Sequence, residues 1–119
     1  MNVTLTNIIV NTSFIAIHAW PECNVSGVEY LKDPHRHKFT VQVKLEVKHN
    51  NRDIEFIDFK KKLDTFLDKY RNNDIGNMSC EDICDAILDN WDSCIYVQVL
   101  EDGENGAEKI REIWSDDNI

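Results

Sequence analysis

Nowhere in the chain does an apolar run approach the roughly 18 residues needed to cross a bilayer, and the first twenty residues lack a basic leader before an apolar core. Both absences predict a soluble, unexported protein that works in the cytoplasm without a membrane partner. Basic residues are scarce as well. Against 22 Asp plus Glu stand 13 Lys plus Arg, a formal charge of -9, and such an excess repels a phosphate backbone over most of the surface. No nucleic-acid partner is expected. The four cysteines, at 23, 80, 84 and 94, form no Cys-x-x-Cys pair and no disulfide-framework spacing, which points to reduced thiols. Cys80 and Cys84 share a helical face with Ile83 and Ile87 and read as small hydrophobes of the core. Internal repeats and low-complexity linkers are also missing. At 119 residues the chain predicts one domain, residues 1–119.

What the sequence does hold is a sustained period of two. In "PHRHKFTVQVKLEV", residues 34–47, the odd positions are His35, His37, Phe39, Val41, Val43, Leu45 and Val47, and the even positions from Arg36 to Glu46 are all polar. Successive side chains of a strand point to opposite faces, so this segment predicts a strand with one face in a core and the other in water. Two histidines begin the buried face.

The remaining elements follow from similar patterns. Residues 3–19, rich in Val, Ile, Thr and Phe, predict a first strand on which Phe14, Ala16 and His18 share a face. A loop runs from Pro21 to Pro34. "HNNRD" signals a turn, and the alternation of Ile54 and Phe56 with Asp53 and Glu55 predicts a third strand returning as a hairpin. Asp58 then serves as the expected N-cap of a helix whose stripe is Phe59, Leu63, Phe66, Leu67 and Tyr70. Ser79, with Asp82 three residues on, resembles a capping box and opens a second helix. "CIYVQVLE" predicts a last long strand with Ile95, Val97 and Val99 inward, a parity that also carries Glu101 inward. "AEKIREIW", from residue 107, stays open between strand and helix. The expected class is α+β, an antiparallel four-stranded sheet with two helices packed on one face, ordered β-β-β-α-α-β along the chain.

Side chains two apart on a strand lie roughly 7 Å apart on one face, close enough for two imidazoles to converge on one ion. His49 shares the parity of His35 and His37 but lies roughly 40 Å along an extended strand at about 3.3 Å per residue, which excludes it. His18, on the face of Phe14 and Ala16, becomes a third candidate if the loop returns His35 beside it. Three histidines with an open fourth position describe a catalytic zinc site. By spacing alone, His-x-His in a strand is usually two ordinary polar residues near a sheet end.

Taken in order along nearly the whole chain, these pieces resemble the family of 6-pyruvoyl-tetrahydropterin synthase and its bacterial relative 6-carboxy-tetrahydropterin synthase, members of the tunnelling fold. "FIAIH" (14–18) is similar to the family's first zinc-histidine strand, and "HRHKFTVQV" (35–43) to its His-Gly-His strand. "FIDFKKKLDTFLD" is similar to its Asp-Phe-x-x-Leu-Lys helix, "SCEDI" to its Thr-Ser/Thr-Glu-Asn helix start, and "VQVLED" to its final strand ending in glutamate. The resemblance implies that His18, His35 and His37 bind Zn2+, which acts as a Lewis acid on a dihydropterin side chain. It implies that Glu101 holds the pterin ring through two parallel hydrogen bonds, and that Ser79 contacts the same ring. It implies a homo-oligomer with the site at a subunit interface, and a lyase or synthase activity on a small pterin-like molecule. The family's proton-transferring cysteine corresponds to Cys23, the one cysteine between His18 and His35, although it lies nearer His18 than the bacterial relatives place theirs. Its supporting Asp-His pair corresponds to Asp68 and Lys69, so lysine stands where the family has histidine. A lysine stays protonated near pH 7 and relays no proton unless its pKa falls by several units. A homologue that binds a pterin or purine without turnover, or a structural metal-bound oligomer, is the alternative.

Overall fold

The computed structural model describes residues 2–112. Four antiparallel strands, β1 (Thr6–His18), β2 (His35–Val47), β3 (Cys94–Glu101) and β4 (Asn105–Ile110), lie side by side in chain order. Two helices, α1 (Phe56–Leu67) and α2 (Cys80–Asn90), are inserted between β2 and β3. The class is α+β. No helix among the described residues is long and apolar enough to cross a membrane.

The period of two in β2 becomes burial directly: Phe39, Val41, Val43 and Leu45 are almost wholly enclosed, while the residues between them stay half-exposed. Phe14 and Ala16 of β1 and Val97 and Val99 of β3 share that face, and Phe59, Leu63 and Leu67 of α1 with Ile83, Cys84 and Ile87 of α2 close over it. Trp91, just past α2, bridges the helices by packing edge-on against Phe59 and Phe66, with ring centroids 5.0 and 5.3 Å away. Such a layered core removes one apolar face of every element from water.

Four expectations are corrected. The third strand at Ile54–Phe56 does not form. Ile54 enters the core just before α1, and the Glu55 carboxylate, not Asp58, caps that helix by accepting from the amides of Ile57 and Asp58 at 2.7 and 3.0 Å. Ile54 and Phe56 stand on either side of the cap and so alternate with Asp53 and Glu55 as strand residues do, although only Ile54 packs inward and Phe56 is exposed on the first helical turn. The order along the chain is therefore β-β-α-α-β-β, because β3 takes the place beside β2 and Ala107–Ile110 belongs to β4; the tail from 113 onward lies outside the described residues. Finally, the register between β2 and β3 slips after Lys44, so Cys94 rather than Ile95 is the buried residue at the start of β3, while Val97 and Val99 keep the expected parity.

Two features bring the sheet end together. The segment at 72–76 lays its backbone along the open edge of β1, where Ile17 and Ala19 donate to the carbonyls of Asn73 and Gly76 at 3.0 and 2.9 Å. In the β3–β4 hairpin, Gly106 passes so near β3 that a Cβ there would stand 1.8 Å from the Val99 carbonyl oxygen. Only glycine admits that approach.

Candidate metal centre

β1 ends where β2 begins, and their register pairs His18 directly with His35 and Ala16 with His37. Cross-strand partners are close neighbours on one face. The three imidazoles accordingly crowd together, with ring centroids 4.5, 5.4 and 4.9 Å apart for the pairs 18–35, 18–37 and 35–37. β3 delivers Glu101 opposite Phe39, one inward position from His37. One donor atom from each of His18, His35, His37 and Glu101 lies within 4.8 Å of every other. Donors of a tetrahedral shell with bonds of about 2.0–2.1 Å stand about 3.4 Å apart, so the set closes on one ion after adjustments of about an ångström.

The outer nitrogen of each ring is fixed. His18 Nδ1 donates to the Met78 carbonyl at 2.8 Å, and His35 Nδ1 to the Asp33 carbonyl at 2.8 Å. His37 Nδ1 meets Asp102 Oδ2 at 2.7 Å. A carbonyl only accepts, so in the neutral rings of His18 and His35 the proton sits on Nδ1 and the Nε2 lone pair faces the cluster. This is how metal-binding histidines are oriented, by a carbonyl or carboxylate behind the ring. Asp102 is itself held in place, since its other oxygen accepts from the Lys38 amide at 3.0 Å. That amide bond, reinforced by the His37 imidazole, keeps the Asp102 carboxyl below the ordinary carboxylate range.

In the middle of the cluster, His18 Nε2 and Glu101 Oε2 are 2.9 Å apart and His37 Nε2 and Glu101 Oε2 are 3.2 Å apart. His18 Nε2 and Glu101 Oε2 are nevertheless buried atoms without a hydrogen-bond partner. Two lone-pair-bearing atoms turned toward each other at that distance repel unless a proton or a cation lies between them. The donor set therefore fits a divalent metal, and the four side chains could hold one.

Beside the cluster opens a cavity of about 490 Å³, a volume suited to a small heterocycle. Trp20, Leu31 and Met78 form its apolar wall, and Ser79, Asp82 and Glu101 are among its polar residues. No lysine or arginine among the described residues lines it.

Of the residues expected from the sequence, His18, His35, His37, Glu101 and Ser79 meet at this place. Ser79 also caps α2 in a full capping box, its hydroxyl accepting from the Asp82 amide at 3.1 Å while Asp82 Oδ2 accepts from the Ser79 amide at 3.0 Å. Cys23, Asp68 and Lys69 do not line the cavity. Cys23 is buried under its own loop with its thiol toward the Val28 carbonyl at 3.6 Å. Asp68 pairs with Arg71 at 3.1 Å, and the Lys69 ammonium rests over the Phe66 ring, 3.9 Å from its centre. His49 is far from the cluster in the turn after β2, 3.5 Å from Asp53, as its place in the sequence required. The residues that reading the sequence missed are the supports, Asp102 and the carbonyls of Asp33 and Met78; only Asp102 left a trace, being the first residue of the turn that follows Glu101. Comparison with protein-family models and with curated proteins finds no match to this chain.

Proposed function

We propose that the protein is a zinc-dependent lyase or synthase of the 6-carboxy- or 6-pyruvoyl-tetrahydropterin synthase kind, of the tunnelling fold, acting on a dihydropterin. The observation that carries this reading is the convergence of three imidazoles, each oriented from behind, next to a cavity that the Glu101 carboxylate lines. Bound zinc would supply Lewis acidity toward the hydroxyls of the substrate side chain. The rest falls to the protein: Trp20 and Leu31 offer apolar surface to a flat ring, and Glu101 offers a carboxylate to its amino and ring N–H donors. Acidic lining residues, with no lysine or arginine beside them among the described residues, favour an N–H-rich, unphosphorylated ring over one bearing a triphosphate arm. β4 and the first part of β1, ahead of the stretch that 72–76 covers, are outer edges of the sheet, a condition that suits the homo-oligomer expected from the resemblance.

A second reading is favoured by one observation. Cys23, the expected proton acceptor, has its thiol under the loop rather than in the cavity, which suits a homologue that binds the ring without turning it over. The two readings separate in one experiment. Zinc content is measured for the wild type and His35→Ala, and the zinc-loaded proteins are incubated with dihydroneopterin and with its triphosphate beside a Cys23→Ala variant. Zinc lost in His35→Ala and product lost in both variants supports the enzyme. Ring binding with no product in any sample supports the binding protein, and a His35→Ala variant that keeps full zinc rules out the metal site.

A further inference from the structure

We infer that Glu101 is a direct fourth ligand of the metal, so that the ring-free site is closed and the ring opens it. The inference rests on the proposed metal reading and concerns what occupies the position that three histidines leave free. Three observations carry it. Glu101 Oε2 lies 2.9 Å from His18 Nε2 and 3.2 Å from His37 Nε2, somewhat inside the roughly 3.4 Å between donors of a tetrahedral shell, so that a cation or a proton must lie between them. Oε2 is buried and makes no hydrogen bond, yet the Glu101 side chain as a whole is 31% exposed, so its accessible part lies away from the cluster, toward the cavity it lines. Among the described residues no other carboxylate joins the cluster: Asp102 is spent on His37 Nδ1 and the Lys38 amide, and Asp82 on the Ser79 amide.

A carboxylate that ligates through one oxygen can turn toward a new partner at low cost. A ring presenting two adjacent N–H groups needs both oxygens of Glu101, and meeting that demand withdraws Oε2 from the metal. The vacated position then faces the substrate side chain. Ring binding and closure of the metal shell by Glu101 are thus competing uses of one group, and each weakens the other by the same factor.

The test uses full-length protein loaded with Co2+ for its visible spectrum and with Zn2+ against a chromophoric chelator. Variants Glu101→Gln and His35→Ala are compared with the wild type after their metal-free melting temperatures are matched, and pterin itself is the ring probe. Glu101→Gln is expected to weaken Zn2+ binding by more than about tenfold and to shift the Co2+ bands, and pterin is expected to shift the wild-type bands toward those of the variant. Unchanged affinity and unchanged Co2+ bands in Glu101→Gln, with metal lost from His35→Ala, would overturn the inference and leave the three-histidine reading standing. Full metal in His35→Ala would remove that underlying reading instead.

Discussion

At the scale of single residues, the chemistry lies in which nitrogen of each histidine carries the proton. Asp102 sets this for His37 from a left-handed backbone position, φ 56°, that aspartate and asparagine tolerate better than most residues. Its two oxygens are committed, one to the imidazole and one to the Lys38 amide. Asp102→Asn keeps shape and backbone but replaces one acceptor with a donor. Whichever way the amide turns, either an N–H faces the Lys38 amide or an N–H faces His37 Nδ1 and forces the other tautomer, with its proton aimed into the four-residue cluster. Zinc binding should weaken about 10- to 100-fold while the metal-free melting temperature barely moves. Equal zinc affinity in the variant would show that Asp102 does not orient the ring. The three histidines and Glu101 were legible in the sequence because strand parity fixes their face. Met78 and Asp33 were not, because they act through backbone carbonyls, which every residue has, and Met78 stands 60 residues from its histidine.

At the scale of elements, β2 and α2 were read almost to the residue, since each has an unbroken period and α2 has its own start signal in Ser79 and Asp82. The misread element was the one whose signal is shortest. Three residues around Glu55 satisfy a strand and a helix entry equally, and only the arrival of β3 beside β2 decides between them. Local pattern holds no information about that competition. The far end of α2 shows a second long-range dependence. The Arg111 guanidinium donates to the carbonyls of Leu88, Trp91, Asp92 and Cys94, at 2.6 to 3.1 Å, and so satisfies acceptors that the helix end and following turn leave open. Arg111→Ala strips a charged donor from several part-buried acceptors and should cost about 1.5–3 kcal/mol in denaturant unfolding. Arg111→Lys, which keeps the charge but not the fork, should recover only part of it. An alanine variant with the wild-type midpoint would mean that water serves those carbonyls as well.

At the scale of the molecule, the α+β class was legible because every apolar face needs cover, but which strands are neighbours was not, since strand order is chosen by the whole sheet. The same layering places thiols in the seam between helices and sheet, and the whole fold feels their titration. Burial, with help from Glu101 and Glu81, pushes the Cys80 thiol up from 9.0 to about 12. Burial pushes Cys84 up to about 11, and Cys94 is raised for the same reason. Well below pH 9.0 these thiols are protonated in both folded and unfolded chains and stability does not depend on their titration. As pH rises past 9.0 the unfolded chain loses these protons first, so the folded state binds more protons and stability falls until pH passes the folded values. Each thiol contributes at most about 1.4 kcal/mol per pH unit over that window. Urea unfolding at pH 8.0, 9.5 and 10.5 should therefore show a steeper decline for the wild type than for a Cys80→Ala/Cys84→Ala protein, whatever the neutral-pH cost of the two cavities. Lysines and tyrosines titrate in both proteins and cancel in the comparison, apart from the minor coupling of Tyr96 and Lys109 to Cys84. Parallel curves would mean that the thiolates are accommodated in the seam, and that the contact of α2 with the sheet is looser than a packed core permits.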